Sequence, residues 1–235
     1  MRRPETRWDE PTGGTPRGTV ILVPGRGETA ASYARLGRRL AADSYRVRYV
    51  EGLDVPDAVR ARIEKLLAEE SLPAPRVLLG SDSGAAAVAR LLGRVDADAG
   101  VLAGLALPGA PAHVDSWEEE VEARTACPVH RRVIGEDTDF TRGRLADPVP
   151  GPELRTLPTT RPLLVLHGSA DTITPVAQVT ALAETAPRAR LRVVAGGRHD
   201  VLNDLAHRSV AATVVLFLES LRLGSGLPEV VSAHP

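Results

Sequence analysis

Residues 76–89, RVLLGSDSGAAAVA, decide the fold. The first part, Arg76 to Gly80, is a short apolar run of the kind a strand covered on both faces shows, and the part from Ala85 onward is an alanine-rich helix pattern. A chain that leaves a strand and enters a helix without a loop must turn within about one residue. The residue at the tip is then strained, and the side chains two before, two after and three after it must be small. With Asp82 at the tip those positions hold Gly80, Gly84 and Ala85, and all three comply. Ser83 at the tip would place Ser81, Ala85 and Ala86 there, which is sterically allowed if the strand runs one residue longer. Ser81 at the tip would require a small residue where Leu79 stands. The bland alternative is that Asp82 or Ser83 merely caps the following helix.

Working outward, three further apolar runs have the same character: Thr19–Pro24 (TVILVP), Gly100–Leu107 (GVLAGLAL) and Pro162–His167 (PLLVLH). Tyr45–Val50 and Arg190–Ala195 alternate more and are expected nearer a sheet edge. Between them lie apolar residues at helical spacing, such as Tyr33, Leu36 and Leu40, then Val59, Ile63, Leu66 and Leu67. Strand and helix alternate, which predicts parallel strands joined by right-handed crossovers. A last helix is expected from about Asn203 to Leu223, with a frayed tail after it.

The rhythm breaks from about 108 to 160. That stretch has no strand-like run, but carries an acidic amphipathic pattern from Trp117 to Val133, a short one from Phe140 to Leu145, and four prolines between 148 and 158. An insertion of about 50 residues inside a compact domain is usually functional. It is expected to form a small helical cap over a site, within a single domain spanning 1–235. The alternative is a helical insertion with no substrate contact.

The strand–turn–helix at Gly80–Gly84 resembles the nucleophile turn of the α/β-hydrolase superfamily, and the likeness extends over most of the chain. The resemblance implies a mostly parallel central sheet flanked by helices. It also implies an acid after a later strand, matched by Asp171 in LVLHGSADTITP (164–175), and a histidine beyond the last strand, matched by His199 in VVAGGRHDVLN (193–203). Thr174 and Pro175 are expected to start the helix after Asp171. VPGRGE (23–28) resembles the His-Gly-x-Gly-Glu turn of the monoacylglycerol lipase and lysophospholipase branch, with Pro24 in place of histidine. By that match the backbone N–H groups of Arg26 and Ser83 would form an oxyanion hole.

The superfamily usually has serine at the tip. Members with aspartate there, the epoxide hydrolases and dehalogenases of the fold, attack a saturated carbon. A carboxylate attacking an ester would form an anhydride, whereas attack on an epoxide or carbon–halogen carbon forms an ordinary ester that water can cleave. The expected centre is therefore Asp82 as nucleophile, His199 as base and Asp171 as its partner, with Ser83 as the alternative nucleophile of a serine esterase or thioesterase. A third option is a non-hydrolytic general base or an inactive binding protein on the same fold. Substrate-facing candidates in the cap are His113, Trp117 and His130. The tyrosines, at 33, 45 and 49, all precede the cap, and the tryptophan common after an aspartate nucleophile is Ser83, so neither subclass is matched in full.

Composition narrows the partners. The net charge is −1 with both signs interspersed, which offers no basic face to nucleic acid or anionic lipid. The single cysteine, Cys127, allows no intrachain disulfide and is expected to be a packed thiol. No metal cluster or cofactor motif is apparent. The runs Glu118–Glu120 and Arg38–Arg39 are expected to be solvated. The first residues carry charge but no apolar run, so neither a signal peptide nor a membrane anchor is expected. A cytoplasmic enzyme acting on a small molecule, as a monomer or a homodimer, is the resulting expectation.

Overall fold

The structure, a computed structural model, describes residues 6–50, 56–109, 114–224 and 226–232. The apolar runs form the middle of a seven-stranded sheet. Strands β2 (Gly18–Val23), β4 (Arg76–Ser81), β5 (Ala99–Ala103) and β6 (Leu163–Gly168) lie side by side, flanked by β3 (Tyr45–Tyr49) and β7 (Ala189–Val194). The order is β1-β3-β2-β4-β5-β6-β7, and every pairing is parallel except that of β1 (Arg7–Trp8) with β3. The more alternating segments thus occupy flanking positions, β7 at one edge and β3 next to the other. β1 was not expected, because two residues carry no periodicity. Its register sets Trp8 opposite Val47, and the indole lies on Gly37, where a β-carbon would come within 2.4 Å of the ring.

Each central strand sends alternate side chains into two cores, as a pleated strand covered on both faces must. Ile21, Leu78, Leu102 and Val165 face α2 (Pro56–Leu67), α3 (Ser83–Leu91) and α6 (Val176–Ala183). Leu22, Leu79, Val101 and Leu166 face α1 (Ala30–Ala42) and α7 (His207–Arg222). The strand ends near β2, β4, β6 and β7 therefore bring residues distant in sequence to one edge of the sheet, where open parallel sheets place their sites.

The insertion follows β5 and contains α4 (Trp117–Arg124), α5 (Pro128–Glu136) and a single 3-10 turn at Arg144–Ala146. Four details differ from expectation. The pattern from 117 to 133 is two helices, because Pro128 lacks an N–H and starts the second at its first turn. The pattern from 140 to 145 shrinks to the 3-10 turn, entered through Gly143 at a left-handed φ of 79°. Glu120 is fully buried against Arg124, with Nη2 to Oε1 at 2.9 Å, so it is not a solvated acid like Glu118 and Glu119. The last helix starts at His207, not near 203, because Asp204 is engaged with the insertion. Its carboxylate accepts from Thr125 Oγ1 at 3.0 Å and from the N–H of Ala126 at 2.7 Å.

No helix among the described residues is long and apolar enough to cross a membrane. Leu79, on β4, has no exposed surface and lies in the core that α1 and α7 cover. Leu79→Ala is expected to lower unfolding free energy by about 2–5 kcal/mol with an unchanged denaturant slope in urea titration. A loss well below 1 kcal/mol would contradict this packing.

Candidate active site

The turn after β4 is tight because nothing larger than glycine fits it. A β-carbon on Gly80 would lie 2.3 Å from the carbonyl oxygen of Gly84, and one on Gly84 would lie 2.3 Å from the carbonyl oxygens of both Val23 and Pro24. The tip is Asp82, at φ 51° and ψ −120°, a strained conformation for a residue with a side chain. Asp82 occupies the N-cap position of α3, yet its side chain makes no capping bond. The carboxylate points the other way, into the protein.

There it meets the histidine and the acid. His199 Nε2 lies 3.0 Å from Asp82 Oδ1, and Nδ1 lies 2.8 Å from Asp171 Oδ2. The three residues come from turns after β4, β7 and β6. Gly168 lets the His199 loop approach β6, since a β-carbon there would lie 2.0 Å from the Gly197 carbonyl oxygen. The N–H of His199 is anchored to the carbonyl of Ala123 in α4 at 3.2 Å. Asp171 Oδ1 accepts from the N–H groups of Ile173 at 2.8 Å and Thr174 at 3.1 Å, which fixes the carboxylate for the imidazole. Thr174 is thereby committed to Asp171, and α6 has Pro175 at its N-cap. His167, on β6, also stands 3.2 Å from Asp171 Oδ2 and donates from Nε2 to the carbonyl of Thr174 at 2.8 Å.

Arg26 supplies the strongest interaction, and through its side chain as well as its backbone. The N–H of Arg26, expected as an oxyanion donor, donates to Asp82 Oδ2 at 2.7 Å. The guanidinium adds Nη2 to Oδ1 at 2.6 Å and Nε to Oδ2 at 2.9 Å, a bidentate pair with side chains 5% and 0% exposed. Its Nη1 donates to the carbonyl of Leu145 at 2.8 Å and to that of Asp147, both in the insertion. The sequence signal was an arginine within a glycine turn facing an acid at the tip of a neighbouring strand.

These contacts set the protonation states. Burial disfavours the Asp82 anion, but the charge of Arg26 and the bonds from His199 and Arg26 outweigh it and hold the carboxyl well below its usual range. Burial likewise disfavours a charged His199, but Asp171 and Asp82 overcome it and raise the imidazole to about 10. Asp171 is lowered by His199 against the penalty of burial. Two anions and two cations thus balance at neutral pH.

A second buried network lies beside the first. Arg124 donates to the carbonyl of Arg26 at 2.7 Å and reaches Asp200 Oδ1 at 3.4 Å. Glu28 is pushed up to about 8 by burial and by the charge of Asp200, and it accepts hydrogen bonds from Tyr33 and from the N–H of Gly25. Glu28, His130 and Asp200 have ligand atoms within 4.8 Å of one another. Arg124, 3.4 Å from Asp200 and 3.9 Å from Glu28, already supplies a cation there.

The other predicted positions separate. Ser83 is the first residue of α3 and not the tip of the turn, and its N–H belongs to the first helical turn, whose donors have no partner inside the helix. His130 is buried and bonded to Asp200 Oδ2 at 3.2 Å, so it docks the insertion and does not face substrate. Trp117 packs edge-on against Phe140 at 5.6 Å beneath Arg142, within the insertion. His113 lies outside the described residues. Cys127 is buried, as a packed thiol should be.

Two clefts reach Ser83. One, of about 200 Å3, is lined by the apolar Val59, Ala87 and Leu91 and by Arg60, Arg90 and Arg94. The other, of about 400 Å3, runs along Pro24 to Glu28 past Thr141 and Arg144 and includes Arg26. Pro150 lines both. Asp82 and His199 are buried and line neither, while Arg26, which lines the second cleft, binds Asp82.

Known proteins agree with this architecture. The family described as TAP-like protein matches residues 142–226. A monoglyceride lipase of Saccharomyces cerevisiae, solved with a substrate analogue, is 15% identical, with a TM-score of 0.71 over 92% of this chain and 90% of that one. The monoacylglycerol lipase of Paleococcus ferrophilus is 18% identical, with a TM-score of 0.71 over 94% and 99%. An esterase of Exiguobacterium antarcticum is 15% identical, with a TM-score of 0.69 over 92% and 94%. No curated protein sequence matches the chain. The shared architecture is the α/β-hydrolase fold.

The charge balance makes stability depend on pH. Because His199 is raised from 6.5 to about 10 in the folded chain, its contribution is complete below pH 6.5 and is lost as pH rises through about 10. Asp82 is depressed, so its contribution is present above its ordinary value of 3.8 and is lost only in acid. Urea unfolding at pH 6, 8 and 10 is expected to show a decline attributable to this proton, at most about 1.4 kcal/mol per pH unit. His199→Gln should remove that component. Equal pH dependence in both proteins would contradict the assignment.

Proposed function

We infer that this α/β-hydrolase-fold chain hydrolyses small organic electrophiles through a covalent ester on Asp82. The observation that carries the inference is the hydrogen-bonded line from Asp82 through His199 to Asp171, with Asp82 at the tip of the strained turn. An ionised carboxylate held there suits attack on a saturated carbon, as in an epoxide or a carbon–halogen bond.

In the first step an Asp82 oxygen forms a bond to carbon while the leaving group departs with its electron pair. An ordinary ester results, and Asp82 loses its charge. His199 then has one carboxylate neighbour in place of two, so it gives up its proton more readily than in the resting protein, to the alkoxide of an opened epoxide or to water when halide has left. In the second step neutral His199, oriented by Asp171, takes a proton from water as the water attacks the carboxyl carbon of Asp82. The oxygen that gains charge in that step corresponds to Oδ2, which already receives the N–H of Arg26. A preorganised donor of this type typically contributes about 3–4 kcal/mol to the transition state. Breakdown of the intermediate returns the Asp82 carboxylate and an alcohol.

A second reading is an esterase using Ser83. It is favoured by one observation, that Ser83 lines both clefts while Asp82 lines neither. It requires His199 Nε2 to leave Asp82 for a hydroxyl on the first turn of α3, and the lipases and esterases of similar fold make it worth the same test. Single turnover in 18O-water, followed by mass spectrometry of the peptide containing Asp82, is expected to place label in that carboxyl group. His199→Gln should accumulate an alkyl adduct on Asp82 with an epoxide or halide that the wild type consumes. Ester turnover lost in Ser83→Ala and kept in Asp82→Ala, with no label at Asp82, would establish the second reading. Turnover of no ester, epoxide or halide would contradict both.

A further inference from the structure

Asp82 is a nucleophile with no free lone pair. A carboxylate offers about four acceptor positions. Oδ1 receives His199 Nε2 at 3.0 Å and Arg26 Nη2 at 2.6 Å, while Oδ2 receives the Arg26 N–H at 2.7 Å and Nε at 2.9 Å. For any carbon to be attacked, the guanidinium must leave Oδ1. Arg26 has no other anion in its described bonds: Nη1 goes to the carbonyls of Leu145 and Asp147. The side chain is 5% exposed, so water in the cleft it lines replaces little of that pairing.

The reaction sharpens this requirement. Once alkylated, Asp82 is a neutral ester, and His199 can shed its proton while Asp171 remains its partner. Arg26 can do neither, since a guanidinium stays charged. A neutral substrate would therefore leave a buried, unpaired cation in the intermediate, a strongly unfavourable state. An anionic substrate leaves none.

We propose that Arg26 is a specificity-determining residue that exchanges the Asp82 carboxylate for a carboxylate of the substrate, restricting the reaction to electrophilic carboxylic acids. The inference rests on the reading of Asp82 as nucleophile. Arg26 is tethered by its N–H to Asp82 and by Nη1 to the insertion, so its guanidinium can re-aim but not travel. The substrate carboxylate must then sit on the attacked carbon or the next one, as in a 2-halo acid. The anion enters along the cleft of about 400 Å3 that Arg26 lines. In the chemical step Asp82 Oδ1 forms the C–O bond, the carbon–halogen bond breaks, and halide leaves with the pair. No proton is needed, which suits a centre with no described tyrosine in the insertion.

The test compares 2-bromopropionate with 2-bromopropionamide as modifiers of Asp82 in the full-length His199→Gln protein, read by peptide mass spectrometry. The anion is expected to modify Asp82 at least about 100-fold faster, the equivalent of a few kcal/mol for an unpaired buried charge. Adding Arg26→Gln should abolish that preference, whereas Arg26→Lys, which keeps the charge, should retain part of it. Acetate or propionate should slow the modification in the arginine protein. Equal rates for the two reagents with arginine in place, or an unchanged preference in Arg26→Gln, would overturn the exchange while leaving Asp82 as nucleophile. If Arg26→Gln does not fold, the lysine variant and the acetate competition decide the same point. An adduct from neither reagent would remove the nucleophile reading and this inference with it.

Discussion

A carboxylate without exposed surface stays ionised at the tip of the β4–α3 turn because two cations meet it there, Arg26 from the turn after β2 and His199 from the turn after β7. Removing an anion from water is costly unless charge and hydrogen bonds are returned to it. Here Arg26 returns them through its N–H and guanidinium, and His199 through its imidazole. The consequence reaches beyond Asp82, because each cation is itself tied to something else. His199 is held by Asp171, and Arg26 by the carbonyls of the insertion, so the sheet, the histidine loop and the insertion share one electrostatic centre.

The insertion is attached by the same means. Arg124 is fully buried among Glu120, Asp200 and the carbonyl of Arg26, and Asp204 binds the backbone between α4 and α5. These directional polar contacts act beside apolar ones, since Val149 and Leu157 of the insertion join the core that α2, α3 and α6 cover. Arg26 bonds both Asp82 and the 145–147 segment, so one side chain joins the strained turn to the insertion.

Much of this was legible in the sequence. The four apolar runs became the four central strands because continuous hydrophobicity has few other outcomes at that length. The small residues at 80, 84 and 85 selected Asp82 as the tip because the penalty for a β-carbon there is steric and local. Asp171 and His199 were reached through the superfamily resemblance, and the geometry brings both to Asp82. What escaped was pairing between distant charges. Arg26 was read for its backbone alone, Glu120 as solvated and His130 as substrate-facing. In each case the deciding partner lies far along the chain or in a segment whose docking no periodicity encodes. The β1 strand and the split of the 117–133 pattern were lost for a simpler reason: two residues are too few to show a period, and the break depends on Pro128.

The central claim is that Asp82 is an anion paired with a protonated His199 in the resting protein. The 15N chemical shifts of the His199 ring at pH 8 test it most directly. The account predicts that both ring nitrogens carry protons in the wild type, and that the ring becomes more readily deprotonated in Asp82→Asn, where one of its two carboxylates is gone. A neutral imidazole in the wild type at that pH, unchanged by the Asp82 substitution, would contradict it.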